Sequence, residues 1–248
     1  IRRFLENPRD ADAQRQIQAW IDKYQAHSQF DRVYLLDTRG VTRMSAPVGP
    51  EPVTATVSRR ASEILRSGLV AFQDFYRNEY NQRIYLAVLV PIFDERDGSR
   101  PLGVLVLRLD PRAYLYPFIR RWPIPSRTAE TLLVRRDGND ALFLNDSRFQ
   151  TDTALNLRVP LTKLERTAVQ AALGREGLVE GPDYRGVPVI ADVRRVPDSP
   201  WFLVARMDVS EVYAPLRGRL WEIVGLAGTL LLSAAGATGF VWRLQSVR

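Results

Sequence analysis

Residues 101–117 read PLGVLVLRLDPRAYLYP, and residues 199–215 read SPWFLVARMDVSEVYAP. Each begins with a run that suits a strand and reaches an aspartate, and each then continues into a helix-compatible segment with a proline seven residues beyond that aspartate. Asp110 and Asp208 are 98 residues apart, as are Pro117 and Pro215, while Asp37 and Asp137, each closing an earlier strand, are 100 apart. A duplicated unit of about 100 residues explains all three spacings at once.

Working outward, each repeat orders its elements as two strands, a helix and three strands. In the first, residues 32–37 (RVYLLD) form a strand, Thr38-Arg39-Gly40 a turn, and a second strand starts at Val41. A helix over 57–66, stopped by Ser67-Gly68, then leads to strands over 69–76, 83–93 and 102–109. Asp110 is placed to cap a helix with Pro111 at its first position. In the second repeat the strands fall at 131–136, 141–144, 177–180, 187–195 and 201–207, with a helix over 164–173 and an Asp208-x-x-Glu211 capping box. The expected class is α+β, with two tandem five-stranded antiparallel sheets over 31–121 and 122–208.

The remaining segments are helical. A long opening helix is expected over residues 1–30, capped by Asn7 with Pro8 next, its apolar face marked by Ala13, Ile17, Trp20, Ile21 and Tyr24. His27, near its end, reads as a packing or capping residue. Ile1 follows no initiator methionine or signal pattern, so the chain reads as a piece of something longer. At the other end an exit helix runs over 209–242, and its residues 223–242, IVGLAGTLLLSAAGATGFVW, carry no charge. Twenty helical residues span about 30 Å, the depth of bilayer hydrocarbon, and Trp221 and Trp242 bracket the stretch. Arg217 and Arg219 before it and Arg243 and Arg248 after it leave its orientation open. Gly225, Thr229, Ser233 and Ala237 form a stripe that suits close approach of a second helix, or else reflect how common small residues are in membrane helices. Pro215 is expected to kink this helix or mark a joint in it.

Composition removes several classes. The 248 residues include no cysteine and one histidine, which excludes disulfide frameworks, thiolate metal sites, cysteine nucleophiles and paired-histidine metal sites. The net charge is +7, and only Lys23 and Lys163 of the 35 basic residues are lysine. The arginines are interleaved with acids, as on a solvated surface, and no nucleic-acid partner is expected. No nucleophile elbow or glycine-rich phosphate loop occurs, so no catalytic residue, metal or cofactor is expected.

Strand alternation suggests which side chains meet. Phe72, Asp74 and Tyr76 fall on one face, as do Val104, Val106 and Arg108. An arginine among strand aliphatics is costly unless paired or facing water. Arg108 therefore either meets a carboxylate such as Asp74 or awaits an anionic ligand. Tyr85, or Arg83 near it, adds a hydrogen bond unless the tyrosine only packs.

Together these features resemble the double Cache sensor domains, the extracytoplasmic ligand-binding parts of bacterial histidine kinases, chemoreceptors and diguanylate cyclases. The resemblance rests on the opening helix, two PAS-like sheets, a final helix continuous with a membrane segment, and the stretches PLGVLVLRLDP (101–111) and SPWFLVARMDVSEVYAPLR (199–217). It covers almost the whole chain. It implies a homodimer in the bacterial cytoplasmic membrane, with residues 1–219 outside and another membrane helix before residue 1. The unit over 31–121 would be membrane-distal and carry a small-molecule pocket, and that over 122–208 would be a proximal spacer.

Amino-acid-binding members resemble one another in a Tyr-x-Asp on the third strand and an aspartate late in the fifth, which read the ligand amine. Here Tyr76-Arg77-Asn78 lacks the acid, Arg108 stands where the late aspartate is expected, and no Arg-x-Trp-Tyr precedes them. The departures point to a small carboxylate or other anion, with Arg108, Tyr76, Asp74, Arg83 and Tyr85 as candidate binding residues. A ligand-free dimerisation or relay domain is the alternative, and an extracytoplasmic hydrolase a distant third.

Overall fold

The computed structural model describes residues 1–98 and 100–246, except for the side chains at 217, 218, 220, 221, 238–241 and 244–246. The chain divides into two compact units, Ile1–Arg121 and Trp122–Arg248.

Unit 1 opens with two helices where one was expected. α1 (Arg2–Glu6) stops at Asn7, and α2 (Ala11–Ala26) starts afresh with Asp10 as its cap, whose carboxylate accepts from the Asp12 and Ala13 amides. Pro8 disfavours a helical conformation at Asn7, so the stronger cap lies two residues beyond the proline. Of the expected face, Ala13, Ile17 and Ile21 are buried, whereas Trp20 and Tyr24 stack on each other in the open. His27 Nδ1 meets the Lys23 carbonyl oxygen and so closes the helix end.

The sheet of unit 1 comprises β1 (Arg32–Asp37), β2 (Thr42–Ala46), β3 (Ala71–Arg77), β4 (Ile84–Phe93) and β5 (Pro101–Leu109), in the order β2-β1-β5-β4-β3, all antiparallel. β5 is thus the central strand. One face buries Val33, Leu35 and Leu107 with Ile17 and Ile21 of α2. The other buries Tyr34, Leu36, Tyr76, Tyr85, Val104 and Val106 with Val57, Ala61 and Ile64 of α3 (Ala55–Ser67). Thr54 caps α3, and Gly68, at φ +70°, ends it as expected. Asp110 does not cap α4 (Leu115–Ile119); its carboxylate is held by the amide and guanidinium of Arg112, and the helix starts late.

Unit 2 repeats the plan with a sixth strand. β6 (Glu130–Asp137), β7 (Asp140–Phe143), β8 (Arg158–Pro160), β9 (Gly177–Pro182), β10 (Pro188–Arg195) and β11 (Trp201–Asp208) form an antiparallel sheet in the order β8-β7-β6-β11-β10-β9. The added β8 is three residues long, too short for periodicity to signal it. α5 (Thr167–Ala172) covers the core of Leu132, Val134, Phe143, Val193 and Val204.

The expected Asp208–Glu211 capping box does not form. Asp208 precedes α6 (Val209–Val212) without a side-chain cap bond and pairs with Arg185 instead. The Glu211 carboxylate accepts from the Arg127 and Thr128 amides at 3.0 and 2.8 Å and from the Ser126 and Thr128 hydroxyls. The exit helix is also not continuous. It breaks at Tyr213 and restarts as α7 (Ala214–Ser246), which puts Pro215 in a first turn where no N–H is needed. The stretch 223–242 lies in α7. Among the described residues no helix is long and apolar enough to cross a membrane. Four residues of that stretch, 238–241, and the flanking Arg217, Trp221 and Arg248 lie outside the described side chains. Ile223, Leu226, Leu230, Leu231 and Leu232 are exposed, and the hydroxyls of Thr229 and Ser233 donate to carbonyls one turn back.

Candidate functional site

Arg108 sits near the end of β5 on the α3 face and is 3% exposed. Its Cα partners in the sheet are Arg32 on β1 and Ala87 on β4. The guanidinium has two edges with different partners. Nε and Nη2 meet Asp31 Oδ2 at 2.8 and 2.5 Å. Nη1 donates to the Tyr34 hydroxyl at 3.0 Å and to Glu51 Oε1 at 2.6 Å. The Tyr85 ring lies 4.0 Å from the guanidinium carbon, a cation–π floor. Tyr76 stands beside Tyr85, ring centres 6.4 Å apart.

Glu51 lies in the irregular, proline-rich segment between β2 and α3. Besides Arg108, its Oε1 accepts from Asn78 Nδ2 at 2.7 Å and Asn81 Nδ2 at 3.1 Å. Asn81 donates to the Tyr85 hydroxyl as well. Burial pushes the Glu51 carboxyl up, but the bond and charge of Arg108, with Arg32 and Asn78, outweigh it and hold the group below the usual glutamate value. Burial opposes the Arg108 charge in turn, and Glu51, Tyr34 and Asp31 more than offset it. The Tyr34 hydroxyl is pushed up to about 12, chiefly by burial, and stays protonated at neutral pH.

Arg108, Tyr85 and Tyr76 therefore come together as expected, but Asp74 and Arg83 do not join them. A bulge between Gln73 and Tyr76 breaks the alternation on β3. Phe72 consequently pairs with Val88, on the α2 face, while Tyr76 pairs with Tyr85, on the α3 face. Asp74 lies within the bulge and lines a surface recess with Thr56, Arg59, Arg60 and Glu63. Arg83 lies just outside β4, exposed, and its charge acts on Asp110. Asp31, Tyr34, Glu51 and Asn81 were missed. Only Asn78 had been marked, through its place in Tyr76-Arg77-Asn78.

A larger recess, about 900 Å³, opens elsewhere, beside α1 and the β4–β5 connection. Three of its four acids are already taken: Asp94 by Arg2, Asp10 by Arg3, and Glu6 by Arg2 and Arg100. It has the makings of a solvated charged groove, and nothing in it matches the convergence of donors on Glu51.

Unit 2 carries the counterpart. Arg206 lies 98 residues after Arg108, on the equivalent strand β11, and its Cα partners are Glu130 on β6 and Ala191 on β10. It pairs with Glu130 and, at 2.5 Å, with Asp183, and Tyr184 covers it at 4.9 Å.

Two repeated α+β units, each an antiparallel sheet with a buried arginine on its last strand, make the tandem architecture of a Cache domain. The chain belongs to the double Cache family: the dCache_1 family model, a Cache domain, matches residues 1–216. Among solved structures it is similar to the ligand-binding domain of the Pseudomonas aeruginosa PAO1 amino acid chemoreceptor PctB in complex with L-Arg, at 19% identity and TM-score 0.59 over 88% of this chain and 83% of that one. The ligand-binding domain of Mlp24 with asparagine matches at 12% identity and TM-score 0.57, over 86% and 82%. An extracellular domain assigned to the histidine kinase mmHK1S-Z2 matches at 17% and 0.56, over 79% and 82%. No curated protein matches the sequence.

Proposed function

We propose that the chain is the extracytoplasmic sensing region of a membrane-bound bacterial signalling receptor. Unit 1 takes a small anionic ligand at the Arg108 cluster, and unit 2 passes the change to α7, which crosses the membrane. The receptor works as a homodimer through its opening helices. One observation carries the ligand assignment: the buried Arg108 guanidinium on the central strand draws part of its counter-charge from a loop, where Glu51 sits among donors from two other segments. Arginine and asparagine N–H groups aimed at one oxygen make a carboxylate receptor. The membrane assignment is supported by the apolar side chains of α7 at Ile223, Leu226, Leu230, Leu231 and Leu232, which are exposed among the described residues.

The similar solved domains were obtained with asparagine and with L-Arg. Asp31 and Glu51 supply two carboxylates near Arg108, so amines and amino acids belong in the same screen. Calorimetric titration of the whole chain in detergent against carboxylates, amino acids and amines tests the reading. Carboxylate binding that Arg108→Met removes supports it; binding of amines alone overturns the anionic ligand. Charge balance within the cluster favours a second reading, a ligand-free relay, and silence toward every compound would establish that one.

A further inference from the structure

We infer that Glu51 is a tethered competitor, occupying the seat that a ligand carboxylate takes, and that Arg32 is a second arm waiting for an oxygen that Glu51 does not supply. This rests on the reading of unit 1 as the ligand-binding unit. The two edges of Arg108 differ in what can leave. Asp31 is held on the Nε/Nη2 edge immediately before β1, whereas the Nη1 edge is shared by a tyrosine hydroxyl and a carboxylate from a segment with no ladder bonds. Arg108 itself is fixed by β1 and β4 on either side and by the Tyr85 ring beneath. The group that yields to a guest is thus Glu51, and its departure exposes donors of Arg108, Asn78 and Asn81.

Arg32 shows that this seat has donors to spare. Its Nη2 stands 3.8 Å from Glu51 Oε2, too far for a hydrogen bond, and its Nε and Nη1 are buried with no hydrogen-bond partner among the described residues. Its guanidinium carbon lies 5.9 Å from the Tyr34 ring centre. Gly49 keeps the space beside it open, since a Cβ there would come within 3.2 Å of Nη1. Buried donors without acceptors are costly, and a guest with a further oxygen satisfies them where the glutamate cannot. The ligand class is accordingly a small carboxylate with a second acceptor oxygen. When Glu51 is released, the segment leading to Thr54, the cap of α3, is released with it.

Two probes test this in the whole chain by titration calorimetry. Propionate reproduces the Glu51 side chain, and lactate adds one hydroxyl to propionate. A seat open a tenth to a hundredth of the time weakens apparent affinity by about 10- to 100-fold, so Glu51→Ala should bind propionate tighter by that factor. Glu51→Gln, which keeps the stem and an oxygen, should tighten it by less and serves if the alanine variant does not fold. Wild type should prefer lactate, and Arg32→Leu should erase that preference. If wild type binds propionate and neither Glu51 variant binds it tighter, the competitor role is overturned while the ligand site stands. If both Glu51 variants bind and wild type does not, Glu51 never yields and the inference fails. If neither wild type nor either Glu51 variant binds any carboxylate, amino acid or amine, it is the ligand-binding reading that falls.

Discussion

Arg108 and Arg206 occupy the same place in the two units, yet their counter-charges are rooted differently. Glu130 is the cross-strand neighbour of Arg206, and Asp183 sits in a tight turn where it also holds Arg185. Both acids are buried with the arginine. In unit 1 the register neighbour is another arginine, Arg32, and the acids come from the chain before β1 and from a loop, with side chains 33% and 20% exposed for Asp31 and Glu51. A buried ion pair tied to two strands and a turn is a fastening. On the proposed reading, the same arginine facing a loop carboxylate is a site that can exchange partners. The two repeats thus differ in the residue opposite each arginine, an acid in unit 2 and another arginine in unit 1.

The largest effect that separates the two comes from removing each arginine. Arg206→Met leaves Glu130 and Asp183 buried beside an apolar side chain, and should cost about 3–5 kcal/mol, the usual result of stripping one partner from a buried pair. Arg108→Met leaves acids that can rehydrate, so its cost should fall between the exposed and buried limits, about 1–3 kcal/mol. Urea unfolding of the whole chain, followed separately through each unit, measures both. Equal losses would mean that Arg108 is as much a fastening as Arg206.

Acid provides a second contrast. Glu51 in unit 1 and Glu211 in unit 2 both have lowered pKa values, Glu211 to about 2, chiefly through the Thr128 hydroxyl and the Arg127 amide. A depressed carboxyl contributes stability that is complete above its unfolded value and lost as pH falls through the folded one. For Glu211 that window runs from 4.5 down to about 2. Exchange protection of the Thr128 amide should therefore fade across that window in wild type and be low throughout in Glu211→Gln. In unit 1, Glu51→Gln should flatten the acid-side stability loss without touching Thr128. If Glu51→Gln also weakened Thr128 protection, the two glutamates would not act independently.

The sequence made Arg108 conspicuous because a guanidinium among Val104, Val106 and Leu107 demands an explanation. Its partners were not legible in the same way. Asp31 and Glu51 lie 77 and 57 residues upstream, and strand periodicity has nothing to say about loop residues. The choice of Asp74 failed for a specific reason: FQDFY contains no glycine or proline, so nothing marked the bulge that turns Phe72 and Tyr76 to opposite faces. The repeat was readable from aspartates and prolines at fixed spacing, whereas the Asp208–Glu211 box was lost to stronger tertiary partners, Arg185 and the Ser126–Thr128 segment. Local helix chemistry had named the right residues and the wrong bonds.

The smallest test concerns the aromatic floors. Phe149 lies 4.2 Å from the Arg185 guanidinium carbon and is largely exposed, so Phe149→Leu should cost about 0.5–1 kcal/mol and nothing else, as an exposed cation–π contact does. Tyr85→Phe keeps the ring under Arg108 and removes only the hydroxyl that accepts from Asn81, at a cost of about 0.5–1.5 kcal/mol. Here a further effect should follow. Asn81, freed of Tyr85, turns wholly to Glu51 and holds it more firmly, so propionate should bind about twofold more weakly, a shift of a few tenths of a kcal/mol. Titration of the two variants side by side reads the difference. If Tyr85→Phe abolished binding altogether, the hydroxyl would itself be a ligand contact, and the exchange at Arg108 would involve the tyrosine floor as well as the loop.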